Sequence, residues 1–243
     1  MLYAIINSEK MGALPNTKGK CPLCQKEVFS KCGEIKLWHW AHKKGENCDN
    51  WYEPETEWHK NWKYIFGKEY SEITITKDGI KHRADIQTKD NVIIELQNSP
   101  LQKPIIRRRE NFYGEKMIWI INGMGFKDNF RIHPEPFPGE NYSPTEYGFV
   151  DKTTGEVIDQ KSLPKKDDRF FWEYPRSSWN DVQRNVFIDF GDGNLFWVKD
   201  GMGTGFGKGR QIKKEDFIKK YGGDLDVFSA FVKEQKEKDK QQK

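Results

Sequence analysis

Two sets of residues have the types and spacing to do chemistry. The first is a run of thiols and imidazoles: Cys21-Pro-Leu-Cys24, then Cys32, His39, His42 and Cys48. A Cys-x2-Cys pair puts two thiolates on one tight turn, and tetrahedral zinc then needs two more soft or borderline donors from a second loop. The preferred set is Cys21, Cys24, His42 and Cys48. It leaves Cys32 as an incidental thiol and His39 as a packing or hydrogen-bonding residue. A site of four cysteines is the main alternative, His39 competes for the same place, and four reduced thiols without metal are the remaining, less favoured reading. No arrangement here leaves the open position of a hydrolytic zinc, so the metal would be structural.

The second set is Asp85, Glu95 and Gln97. A carboxylate inside the run Val92-Ile-Ile-Glu-Leu-Gln97 is costly unless it lies at an edge, is paired, or holds a metal. Glu95 and Gln97 are two apart and share one strand face, and Asp85 on the preceding hairpin strand can lie beside them. Two carboxylates and an amide oxygen make a hard-oxygen site suited to Mg²⁺ or Mn²⁺, able to polarise a phosphodiester and acidify a bound water. Glu55 or His59 could complete the coordination or place that water. By itself the spacing is weak, because a solvated hairpin with one acid on each strand produces it too.

The elements that must position these residues can be read around them. Pro54 to Gly67 reads as a helix with an apolar stripe of Trp58, Trp62, Ile65 and Phe66, and with Glu55, His59 and Lys63 on a separate face. His59 reads either as an active-site group or as packing between tryptophans; Lys63 reads as a site cation or an ordinary solvated lysine. Strands follow at 71–76, 80–87 and 92–97, the first two joined by a Lys-Asp-Gly turn. A helix runs from Leu101 to Tyr113 with Pro104 in its first turn, and a fourth strand covers 116–122. The order is αβββαβ. Arg107-Arg108-Arg109 covers too much of a helical turn to face one partner, so one should pair with an acid while the others remain for phosphate oxygens.

In combination, these residues resemble the CoiA-type competence proteins. The likeness rests on Cys-Pro-x-Cys, His39-Trp-Ala-His42, Glu55-Thr-x-x-His-x-x-x-Lys63, Arg83-Ala-Asp85, Ile94-Glu-Leu-Gln-Asn-Ser99 and the strand centred on Trp119. It spans residues 18–123. That family is similar to the PD-(D/E)XK nuclease superfamily, whose core is the same αβββαβ unit. The resemblance implies Asp85 and Glu95 as metal carboxylates, Glu55 as the first-helix acid with His59 and Lys63 beside it, and zinc on Cys21, Cys24, His42 and Cys48. It places Gln97 where most of the superfamily has a catalytic lysine, a glutamine that CoiA-type proteins commonly show. Gln97 brings no positive charge to a transition state, so it leaves catalytic competence open.

The remainder sets bounds. Hydrophobic residues are 35% and charged residues 32%, and 16 Phe, 9 Trp and 9 Tyr make up for scarce aliphatics, as in a globular protein. The longest apolar run, Met117 to Ile121, is far short of the ~20 residues that span a bilayer, and no leader pattern opens the chain, so the expectation is a cytoplasmic protein with no membrane partner. The net charge of +4 lies wholly in residues 1–123, the half to suspect for nucleic acid. The second half shows a hairpin signal at 147–158, a clear hairpin at 185–198, a short helix at 213–221 and a charged tail from 233. Gly201-Met-Gly-Thr-Gly-Phe-Gly-Lys-Gly209 lacks a phosphate-loop arrangement and reads as a mobile loop; His82 and His133 read as structural or surface residues.

The expected architecture is therefore a zinc module at 1–50, a PD-(D/E)XK-like (restriction-endonuclease-like) α/β core at 51–125, and a C-terminal α+β extension at 126–243. The expected activity is metal-dependent hydrolysis of single- or double-stranded DNA, with structural Zn²⁺ and catalytic Mg²⁺ or Mn²⁺. A non-cleaving DNA-binding accessory factor for recombination or competence is the alternative, and a protein-interaction adaptor the third reading. Self-association is left open.

Overall fold

The computed structural model describes residues 1–33, 38–43, 48–51, 54–133, 142–145, 148–158, 167–230 and 232–233. The charged tail expected from residue 233 onward lies, beyond that residue, outside them. The chain opens with β1 (Tyr3–Ile6), β2 (Glu9–Gly12), β3 (Lys18–Lys20), β4 (Glu27–Lys31) and β5 (His39–Ala41). They form an antiparallel sheet in the order β2-β1-β3-β4-β5. Asn7 and Ser8 both adopt positive φ, as a two-residue hairpin turn between β1 and β2 requires. The small core of this module holds Ala4, Leu23, Val28 and Trp40 together with Cys21.

Next come α1 (Glu57–Tyr70), β6 (Ser71–Lys77), β7 (Ile80–Gln87), β8 (Ile93–Gln97), α2 (Lys103–Tyr113) and β9 (Met117–Asn122), in the expected αβββαβ order. Thr56 caps α1 in a reciprocal box with His59, and Gly67 breaks the helical geometry at φ 74°. Glu55 therefore precedes the cap. It is not on the helix face with His59 and Lys63, as the i, i+4, i+8 spacing predicts. Asp78 and Gly79, both at positive φ, turn β6 into β7. Strand β8 is antiparallel to β7 and parallel to β9, with α2 making the crossover.

The second half continues the same sheet. Its elements are β10 (Phe130–His133), β11 (Tyr142–Thr145), β12 (Gly148–Asp151), β13 (Val157–Ile158), β14 (Asp168–Trp172), β15 (Asn185–Asp189), β16 (Asn194–Asp200), β17 (Phe206–Lys213) and α3 (Lys214–Lys220). Strand β15 lies parallel to β9, with Val186 opposite Trp119, and the nine-stranded order is β10-β14-β17-β16-β15-β9-β8-β7-β6. Strands β11, β12 and β13 form a separate small sheet.

Alternation along β9 explains its unbroken apolar run. Met117, Trp119 and Ile121 face a core shared with Ile106 of α2, while Ile118 and Ile120 face Trp62, Ile65 and Phe66 of α1 and Phe217 and Ile218 of α3. A strand buried on both faces gains about 1.5–3 kcal/mol from each large aliphatic side chain it removes from water.

One sequence expectation is overturned here. The glycine-rich run is not a loop throughout: Phe206–Lys213 is strand β17, paired with both β14 and β16. Its glycines are there for space, since a Cβ on Gly209 would stand 2.5 Å from the Trp197 carbonyl oxygen and 2.6 Å from the Phe196 ring. Gly209→Ala should lower stability by about 1–3 kcal/mol through this overpacking, read as a lower urea midpoint at unchanged slope.

Candidate metal centre and active-site cleft

The sulfur and nitrogen atoms of Cys21, Cys24, His42 and Cys48 all lie within 4.8 Å of one another. The Sγ atoms of Cys21 and Cys48 are 3.7 Å apart, and Cys24 Sγ is 3.3 Å from His42 Nε2. A tetrahedral ion with bonds of about 2.3 Å to sulfur requires sulfurs roughly 3.8 Å apart, so the donor set fits zinc closely. Its electrostatics ask for a cation as well: burial, and next the Cys21 sulfur beside it, push the Cys48 thiol up to about 12. All four cysteines are free, and Cys32 stands outside the cluster.

The second site begins where two strands part. Strands β7 and β8 are paired at Ile86–Ile94 and Gln87–Ile93, but the ladder does not continue to Asp85 and Glu95. Main-chain amides left without ladder partners must find other acceptors. The Asp85 amide donates to Glu95 Oε1 at 3.2 Å, and the Leu96 amide donates to Asp85 Oδ2 at 3.0 Å. One step further along β7, the Arg83 amide donates to Asp49 Oδ2 at 3.0 Å. The carboxylates thus stand in for the missing strand pairing and hold the gap open.

That gap is a cleft of about 40 Å³. Its wall includes Asp85, Glu95, Glu55, His59, Lys63 and Arg109, with Asp49 and Trp51 closing one side. Lys63 is 2% exposed, and its Nζ is ion-paired with Glu55, with Asp85 Oδ1 at 2.9 Å and with Glu72 Oε1 at 3.3 Å. Burial alone would lower its pKa, but Asp85, Glu55 and Glu72 outweigh burial and hold the ammonium well above its usual range. Glu55 is the converse: burial raises it, and Lys63 brings it well below the carboxylate range. Asp85 is likewise held low by Lys63 against the cost of burial. Glu95 goes the other way. Burial, then the charge of Asp85, push it up to about 8, although Arg109 Nη1 donates to its Oε2 at 3.1 Å.

Helix α1, which carries His59 and Lys63, is held from below by Asp189 of β15. This fully buried carboxylate accepts Trp58 Nε1 at 2.9 Å, Trp62 Nε1 at 3.0 Å and the Lys214 ammonium at 2.7 Å. The second half of the chain thereby sets the height of the helix over the cleft.

Residues 6–50 match the family model described as Competence protein CoiA, N-terminal domain. Over this stretch the chain is similar to the N-terminal domain of CoiA-type competence proteins. No curated protein and no solved structure matches it. Among the described residues, no helix is long and apolar enough to cross a membrane.

The CoiA-type module and the cleft together account for most residues singled out in the sequence. The zinc quartet is one cluster; Asp85, Glu95, Glu55 and His59 share one cleft. Gln97 does not line it: the side chain is fully buried and donates Nε2 to the Ser99 carbonyl at 2.7 Å. His59 lines the cleft while its Nδ1 accepts the Thr56 amide at 3.2 Å. Of the three consecutive arginines, Arg109 is buried on Glu95, and Arg107 reaches Asp181 at 2.7 Å on the surface. His82 is a buried partner of Asp49, in keeping with its structural reading. Sequence reasoning missed Glu72, Asp49 and Trp51. Glu72 adopts φ 54° inside β6, and its carboxylate accepts the amides of Leu2 and Tyr3, a long-range contact with no local signature. For Asp49 and Trp51 the one available signal was proximity to Cys48.

Zinc should copurify at one ion per chain, measured by metal analysis. Cys48→Ser should lose it and Cys32→Ser should keep it; zinc loss in the Cys32 variant would refute the assigned quartet.

Proposed function

We propose that this chain is a divalent-metal-dependent deoxyribonuclease serving competence-related DNA processing, uptake or recombination. The carrying observation is the parting of β7 from β8, which sets Asp85 and Glu95 side by side on a cleft with a buried ammonium in its wall. The PD-(D/E)XK-like reading of the αβββαβ core supports the same assignment. Two carboxylates suit Mg²⁺ or Mn²⁺, which commonly take one or two protein carboxylates and complete their shell with waters and substrate phosphate oxygens. Such an ion supplies Lewis-acid polarisation of the phosphodiester and acidifies water.

The chain's own groups supply the rest. Asp85 and Glu95 would hold the ion. Lys63 brings to the cleft the positive charge that Gln97 cannot, where it can offset charge growing on the phosphate oxygens as water adds to phosphorus and one P–O bond breaks. His59, in the wall of the same cleft, can orient water through its imidazole. Arg109 keeps Glu95 in place.

One observation favours the second reading, a DNA-binding factor that does not cut. Lys63 and Arg109 already occupy Asp85 and Glu95, and Gln97 is turned to Ser99.

Cleavage of single- and double-stranded DNA separates the two. Wild type should cut with Mg²⁺ or Mn²⁺ and not with EDTA, and Asp85→Ala and Glu95→Ala should each lose at least about 100-fold in rate. No cleavage by zinc-loaded wild type, with salt-sensitive DNA binding retained, establishes the binding factor instead.

Ligation by Glu95 requires its ionised form. With its pKa raised to about 8, a cation must displace a proton, so at Mg²⁺ or Mn²⁺ concentrations well below saturation cleavage should climb with pH towards that value, and added metal should move the rise to lower pH. Asp85, held low, contributes no step in this window. A rate at subsaturating metal that is already level from about pH 6, and whose profile added metal does not move, would contradict Glu95 as a ligand.

A further inference from the structure

We infer that the zinc centre positions the cleft through the short strap that follows its last ligand, with Asp49 and Trp51 as positioning residues. This rests on the zinc assignment and not on nuclease activity. Asp49 is bonded directly to Cys48 and is itself buried. Its two carboxylate oxygens are fully used. Oδ1 accepts the Trp51 amide at 3.0 Å and meets His82 Nδ1 at 3.0 Å, while Oδ2 accepts the Arg83 amide at 3.0 Å. The strap thus takes over the edge of β7 at the point where β8 has left it.

Trp51 carries the connection onward. Its ring stacks on His82 at 3.3 Å between centroids and 6° between planes, and meets Phe112 and Tyr113 of α2 edge-on. Its carbonyl accepts Arg109 Nη2 at 2.8 Å, while Arg109 Nη1 holds Glu95 Oε2 at 3.1 Å. The guanidinium lies over the rings of Trp51 and Trp119. A fork-shaped cation with one arm on the strap and one on Glu95 transmits the position of the strap to the cleft carboxylate.

Strap residues 49–51 have no strand or helix of their own to hold them. Cys48 on the metal is what fixes one end, and Asp49 and Trp51 provide the anchorage at the other. Without the ion, the Cys48 thiol leaves the cluster and the strap is free to lift. Arg109 then loses its carbonyl acceptor, and the Arg83 amide its carboxylate. The coupling is reciprocal by linkage, so weakening the strap must weaken zinc.

The test uses the full-length chain, ¹⁵N-labelled, with zinc bound and after chelation. On chelation, amide protection at Arg83 should fall at least tenfold and the hydrogen-bonded side-chain signals of Arg109 should disappear, while Ile94 and Ile120 in the sheet stay protected. Unchanged signals at both Arg83 and Arg109 overturn the inference. Should chelation unfold the sheet as well, Asp49→Ala at saturating zinc decides. It should lose the Arg109 signals and bind zinc about tenfold more weakly, with Cys32→Ser unaffected. Retained Arg109 signals or unchanged zinc affinity in that variant overturn it. A protein that never cuts DNA answers this test equally well.

Discussion

A single buried ammonium organises the cleft. Lys63 draws together carboxylates from three stretches of chain: Glu55 ahead of α1, Glu72 at the start of β6 and Asp85 on β7. Removing one member of a buried ionic cluster typically costs about 3–5 kcal/mol, because the remaining charges are left in a poorly solvating medium. Here three acids would be stranded by one substitution. The constraint therefore serves both fold and site. It fixes where α1 crosses the sheet and where Asp85 points, and it keeps Asp85 ionised beside a Glu95 that burial tends to protonate.

Around this cluster the molecule is tied together by side chains bonded to main-chain groups. Glu72 takes the amides of Leu2 and Tyr3, Asp49 takes the amide of Arg83, and Glu110 of α2 takes Trp119 Nε1 and the amides of Gln183 and Arg184. Each is a buried carboxylate whose lone pairs are occupied by donors from elsewhere in the chain, the condition under which burial is tolerable. The CoiA-type module, the αβββαβ core and the second half are joined in this way, and the sheet running through β9 and β15 gives the joints a rigid base.

Much of the core was legible because its signals are local. Strands β6, β7 and β8 alternate or run apolar between turn residues, Asp78-Gly79 marks the hairpin, and Pro104 marks the start of α2. The Cys-x2-Cys knuckle and the later thiols and imidazoles are read from ligand chemistry alone. Illegible were contacts that join distant segments. Glu55 belongs with Lys63 although it lies outside the helix, because Thr56 caps α1 before Glu55 can enter it. The glycine-rich run looked like a loop because glycine permits many conformations. Whether it is a strand depends on the aromatic rings that Phe170 and Phe196 place against it.

From its sequence alone, the chain determines a cluster of thiols and imidazoles from which a zinc quartet can be drawn, two acids on adjacent strands and the order of the elements that carry them. These follow from donor chemistry and from the two-residue and 3.6-residue periods of strand and helix. The choice of His42 over Cys32 or His39 is made by the tertiary structure. It also decides the charge state and company of those acids. Lys63 comes to Asp85, Arg109 to Glu95, and Gln97 leaves the cleft for Ser99. The same distinction separates the two halves of the chain. The hairpin of β15 and β16 is written locally, but its docking beside β9, with Asp189 under Trp58 and Trp62, is not. Electrostatic energies depend on distance through space and on exclusion of water, and neither is encoded in sequence spacing.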